Sequence, residues 1–179
     1  MVKTLAKNLR DFARNNRGVA ALEFALIAPF MILLYLGAVE ISLALSIDRK
    51  ITSTASAIAD LVAQDDVVTN GEMASILNAG NAIIAPFDAA PLQMRVTSVF
   101  MDMAGDVSVQ WSDAQGMSPL SPGSAIAMPV GVMQPNRSVI MVEAAYTYQT
   151  LFGELGVNQF DISEQFFLRP RRSLFVERR

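Results

Sequence analysis

Apolar residues follow two different patterns along this chain, and the change from one to the other divides it. From Ala20 to Ile47 it reads AALEFALIAPFMILLYLGAVEISLALSI, with Glu23, Glu40 and the normally neutral Tyr35 as the only ionisable side chains. A bilayer is crossed by about 20 apolar residues in a helix, so a transmembrane helix is predicted over residues 19–47. The pattern then becomes periodic. In DRKITSTASAIADLVAQ, residues Ile51, Ala55, Ile58, Leu61 and Val62 recur at helical spacing between polar positions, which predicts an amphipathic continuation of the same helix over 48–66. It should fray near Gln64, where DDVVTNGE brings charge and an Asn-Gly turn. A second helix is expected from Glu72 to Ala85, stopped by Pro86.

Farther on the period drops to two. Leu92 to Met101 and Asp106 to Trp111 read as an antiparallel hairpin, with Val107, Val109 and Trp111 on one buried face and Ser108 and Gln110 on the other. Two more strands are expected, from Ser138 to Thr150 and from Phe160 to Arg169. In the first, Val139, Met141, Glu143 and Ala145 face one way and Ile140, Val142, Ala144 and Tyr146 the other. That alternation accounts for Glu143 and Tyr146 without an active site. Between the strand pairs, residues 116–135 hold four of the eight prolines; their apolar residues Leu120, Ile126, Met128 and Val130 predict a loop lying against something. The expected fold class is α+β: a long membrane helix with an amphipathic extension, a short helix, and a mostly antiparallel sheet of about four strands.

Charge gives this layout a direction. Residues 1–18 carry five basic side chains, Lys3, Lys7, Arg10, Arg14 and Arg17, against Asp11; residues 48–168 carry four basic against thirteen acidic. Basic residues beside a membrane span tend to stay in the cytoplasm, so 1–18 is read as a cytoplasmic leader and 67–179 as an extracytoplasmic α+β domain, in a single-pass topology. A secretory signal peptide fits less well, because its apolar region spans roughly 7 to 15 residues and LALSIDRK offers no A-x-A cleavage site. The terminal RPRRSLFVERR is basic; lipid, a peptidoglycan-linked partner or an acidic neighbour could receive it, but by composition it reads as a solvated tail.

Histidine and cysteine are both absent, which removes imidazole bases, thiol nucleophiles, disulfides and the usual zinc and copper ligands. The carboxylates Asp102, Asp106 and Asp113 do not match an EF-hand, and no phosphate loop of the P-loop pattern occurs. No catalytic residue, cofactor or metal site is therefore expected, and the chain is read as a non-enzyme. An acidic domain is also a poor ligand for nucleic acid.

Glu23 is what a plain anchor leaves unexplained. A carboxylate at the bilayer centre costs about 2.5 to 3.5 kcal/mol on an insertion scale, so one reading places it at the cytoplasmic interface, hydrated or paired with Arg17. A second starts from Gly18, because Glu23 is the fifth residue after it. This arrangement resembles the processing site of type IV pilin-like proteins. The longer pattern of Arg17, Gly18, Glu23, Phe24, Gly37 and Glu40 resembles the TadE/TadG family of tight-adherence pilus proteins, over about the first 65 residues.

That resemblance implies a bacterial inner-membrane protein, cut between Gly18 and Val19 by a prepilin-type peptidase embedded in the membrane. It further implies that the new Val19 amine pairs with a glutamate of a neighbouring pilin-like subunit, since an unpaired charge in a low-dielectric bundle is costly. Glu40 lies seventeen positions after Glu23, about 25 Å along a helix, and so near the outer interface, where either hydration or a partner contact accounts for it. Gly37, Ala38, Ser42 and Ala44 would let another helix approach. Pro29 should kink the helix near Ala25 without ending it. The function implied is that of a minor pilin or pseudopilin-like component in assembly of a tight-adherence pilus or related secretion system. The alternative is an unprocessed membrane-anchored extracytoplasmic interaction protein, since members of this family can remain uncut.

Overall fold

The computed structural model describes residues 17–150 and 158–179, so the leader cations Lys3 to Arg14 lie outside the described residues. Helix α1, Arg17–Gln64, contains Pro29 and continues through it. The chain divides into two compact units after Ser42.

In the second unit, which begins at Leu43, α1 supplies the spine of the core. Ile47, Ile51, Ala55, Ile58 and Val62 are all buried and recur every three or four residues, so one stripe of the helix faces inward. Leu61, grouped with them by spacing, is instead 38% exposed. A two-residue strand β1, Val67–Val68, follows, and then helix α2, Asn70–Ile83. The Asn-Gly pair expected to form a turn lies inside the first turn of α2. Thr69 overrides it as N-cap: its hydroxyl accepts from the Glu72 backbone N–H, and the Glu72 carboxylate accepts from the Thr69 backbone N–H in return, a capping box that starts the helix two residues early. The Thr69 backbone N–H, and after it the Thr69 hydroxyl, donate to the Glu72 carboxylate and hold its pKa below the ordinary value.

Four long strands form one antiparallel sheet in the order β3-β2-β4-β5, where β2 is Leu92–Met101, β3 Val107–Gln115, β4 Arg137–Gln149 and β5 Gln159–Leu168. The face bearing Leu92, Met94, Val96, Ile140, Val142, Ala144, Tyr146 and Tyr148 joins the α1 and α2 side chains in the core. At Gly80 the contact is closest, since a Cβ there would meet Met94 Sδ at 2.5 Å and Ile58 Cδ1 at 2.9 Å. Burial raises the Tyr146 hydroxyl pKa, and the nearby Asp88 charge adds to it.

The alternation predicted for β3 does not survive across the whole strand. Ser98 pairs with Trp111 but Val99 pairs with Val109, so Gln110 is an extra residue in a β-bulge. One inserted residue shifts the two-residue period. Trp111 therefore joins the helix-side core, whereas Val109 sits opposite Val99 on the other face, and the two do not share a face as expected. The bulge is closed by the Ser98 hydroxyl, which donates to Gln110 Oε1 at 2.8 Å.

Residues 116–135 lie against the domain in part: Leu120, Ile126 and Met128 are half-buried, whereas Val130 is fully exposed. Gly116 adopts φ +76° where a Cβ would approach Leu92 O to 3.1 Å, so glycine suits this departure from β3 on both counts. Farther along, Val109 N–H donates to Ser124 O and Gly123 N–H to Val109 O, with a bridge between Ser108 and Ala125, which covers the β3 edge.

The basic tail is docked onto the domain through Val176 and Arg178, while most of its other residues stay exposed. Strand β6, Glu177–Arg178, pairs in parallel with β1, Val176 is buried, and the Trp111 indole N–H donates to Val176 O at 2.7 Å. Arg178 grips Asp113 through Nε at 2.7 Å and Nη2 at 3.0 Å, and reaches Val68 O and Asn70 Oδ1 as well. These bonds to Asp113 raise the Arg178 pKa still further. Arg171 pairs with Asp60. Charge complementarity between the tail and its own acidic domain explains the docking: the acidic neighbour is in the same chain.

Candidate functional site

The features singled out for function all lie on the first unit's part of α1. From Gly18 to Ser42 there are 25 residues, about 37 Å of helix, against a hydrocarbon thickness of about 30 Å. Leucine, phenylalanine and isoleucine occupy nearly every turn, so propensity and length both favour a helix. The chain leaves these side chains uncovered: Phe24 and Phe30 are 72% exposed and Leu34 70%. Among the described residues this is the single helix long and apolar enough to cross a membrane, and none of its most apolar window is buried.

Gly18 and Val19 lie in the first described turn of α1 and both are exposed. Val19 and Glu23, four positions apart, lie on one face about one turn from each other. Glu23 and Glu40 are separated by seventeen positions, which rotates them about 100° apart around the axis, so they address different directions. Glu40 is half-buried.

Two glycines on this stretch have no packing reason among the described residues. A Cβ at Gly18 or at Gly37 would meet nothing within 4 Å, although glycine inside a helix costs about 1 kcal/mol relative to alanine.

Two of the three acidic side chains weighed for chemistry, Asp102 and Asp113, are engaged in structure. Asp102 accepts from the backbone N–H of Ala104 and of Asp106 in the turn between β2 and β3, and Asp113 is held by Arg178. Glu143, on the sheet face away from α1, forms an ion pair with Arg95 Nε at 2.5 Å and accepts from Gln165. No group of metal-ligating side chains occurs among the described residues. The tail docking through Asp113, Asp60 and Trp111 is what sequence reasoning missed; the opposite charges of the tail and the domain were its only visible signal.

The uncovered apolar helix on an antiparallel α+β domain places the chain in the class of proteins with one N-terminal membrane-type helix. Residues 18–60 match the family model described as TadE-like protein, so the likeness read from Gly18, Glu23, Phe24, Gly37 and Glu40 holds over that helix and its extension. Comparison with curated proteins and with solved structures gives no match.

Proposed function

We propose that this protein is a minor pilin or pseudopilin-like component in assembly of a tight-adherence pilus or a related secretion system. It is anchored in the bacterial inner membrane with its N-terminus in the cytoplasm and residues 67–179 outside. It works by assembly and not by catalysis. The observation that carries the reading is the TadE-like match over residues 18–60, joined by glycines at 18 and 37 that packing among the described residues does not require. Gly18 is then kept for recognition by a prepilin-type peptidase, and Gly37 for close approach of another pilin-like subunit.

Cleavage between Gly18 and Val19 would create an ammonium one helical turn from Glu23, and the two charges would be satisfied across subunits, which sets the register of assembly. Glu40 would offer a second contact, on a different side of the helix.

N-terminal sequencing of the protein extracted from membranes of cells containing a prepilin peptidase tests this. A mature start at Val19, abolished by a bulky Gly18→Leu, is the expected result. An intact chain would leave the alternative, an unprocessed membrane-anchored interaction protein. Glu23→Ala should preserve membrane insertion and lower pilus formation; normal pilus formation would count against the paired-charge mechanism.

A further inference from the structure

Residues 48–168 carry only four basic side chains against thirteen acidic ones, and two of the four, Arg49 and Lys50, sit together on the turn of α1 just beyond Ile47. Arg95 is committed to Glu143. Arg49 is exposed and makes no ion pair among the described residues. Lys50 Nζ donates to Ile83 O at 3.0 Å, which ties it to the end of α2 and leaves two of its three donors for another acceptor.

These cations line an open cavity of about 300 Å³ together with Ser46, Ser53 and Ile83. Among the described residues no carboxylate lines it, although Asp48 is next in sequence. Two cations at one opening suit a phosphate group, which Arg binds with a planar fork and Lys as a point charge. Arg49 and Lys50 follow the apolar stretch on the same helix, two and three positions after Ile47. A strongly acidic domain next to an anionic bilayer would otherwise be repelled at this end.

We propose that the cavity formed by Ser46, Arg49, Lys50, Ser53 and Ile83 binds the phosphate of an anionic phospholipid in the leaflet where α1 leaves the membrane. This rests on the membrane-anchor part of the reading above and is independent of cleavage at Gly18. The same chemistry would admit free inorganic phosphate, and the two sources are separable by experiment.

The full chain is placed in nanodiscs containing equal amounts of phosphatidylglycerol and phosphatidylcholine, released into mild detergent, and its retained lipids counted by native mass spectrometry. Phosphatidylglycerol should be retained in preference. Arg49→Gln should lower that preference about fivefold, the factor given by about 1 kcal/mol per basic residue at an anionic surface. Arg49→Lys should restore much of it, and Arg137→Gln, at an exposed cation outside this cavity, should leave it unchanged. Equal retention of both lipids by the natural chain, or no effect of Arg49→Gln, overturns the assignment. Complete displacement of the lipid by millimolar inorganic phosphate would reassign the cavity to the free anion. A chain that never enters nanodiscs would overturn the membrane reading, whereas one that enters without lipid preference overturns only the cavity's role.

Discussion

Arg178→Ala should detach the C-terminal tail from the domain. The Arg178 and Asp113 side chains are only 17% and 27% exposed, and the guanidinium donates to both Asp113 carboxylate oxygens, to Asn70 Oδ1 at 2.7 Å and to Val68 O at 3.2 Å. Hydrogen bonds to charged groups contribute about 1.5 to 3 kcal/mol each, but they do not add here, because Asp113 is open enough to regain water once its partner is gone. The expected loss is about 2 to 3 kcal/mol, well above the ~0 to 1 kcal/mol of an exposed ion pair. Asp113→Asn should cost less, since the amide keeps one acceptor, and the double variant should fall short of the sum by about 1.5 kcal/mol. Equilibrium unfolding of the full chain in detergent micelles measures all three. Trp111 is the only tryptophan and its indole N–H is bonded to Val176 O, so its emission reports directly on tail docking. A loss under about 0.5 kcal/mol for Arg178→Ala, with Trp111 emission unchanged, would refute the claim that this ion pair holds the tail.

Gly80→Ala should destabilise the domain by about 1 kcal/mol, because the crowding against Met94 and Ile58 costs about 1 to 3 kcal/mol and the gain in helix propensity returns about 1. Gly71→Ala in the same helix, where a Cβ meets nothing within 4 Å, should be neutral or stabilising; equal melting shifts for the two would contradict the packing account. For Glu72, the folded pKa lies below its ordinary value of 4.5, so its contribution is present above that value and lost as pH falls from there through the folded pKa. Protection against amide hydrogen exchange at the start of α2, taken relative to the intrinsic rate at each pH, should fall on that acidification in the natural chain and not in Glu72→Gln, and identical profiles would remove the linkage.

Much of the architecture was legible because it is local. The apolar run, the amphipathic stripe from Ile51 to Val62 and the alternation of β4 each reflect a backbone period that repeats within a few residues. The membrane helix was the clearest of these, since its length and its near-absence of charge need no partner to be recognised. The Gly18 to Glu23 spacing was legible for the same reason. Where the reading failed, the cause was a contact from afar or an insertion. At Gln110 one residue breaks the two-residue period and sends Trp111 and Val109 to opposite faces. At Thr69 a capping box outweighs the turn preference of Asn70 and Gly71.

By itself, then, the sequence determined which segment is apolar enough for a bilayer, which segments are helix or strand, and which residues resemble a pilin-type start. Tertiary structure alone decided what becomes of the charges. Arg178 reaches Asp113 across 65 positions and Arg171 reaches Asp60 across 111, separations at which composition shows only opposite signs. Tertiary structure likewise brings Ile83 of α2 beside Arg49 and Lys50 to shape the cavity. Pairing of this kind depends on where β6 and α2 settle against the rest of the domain, and no periodicity along the chain encodes that placement.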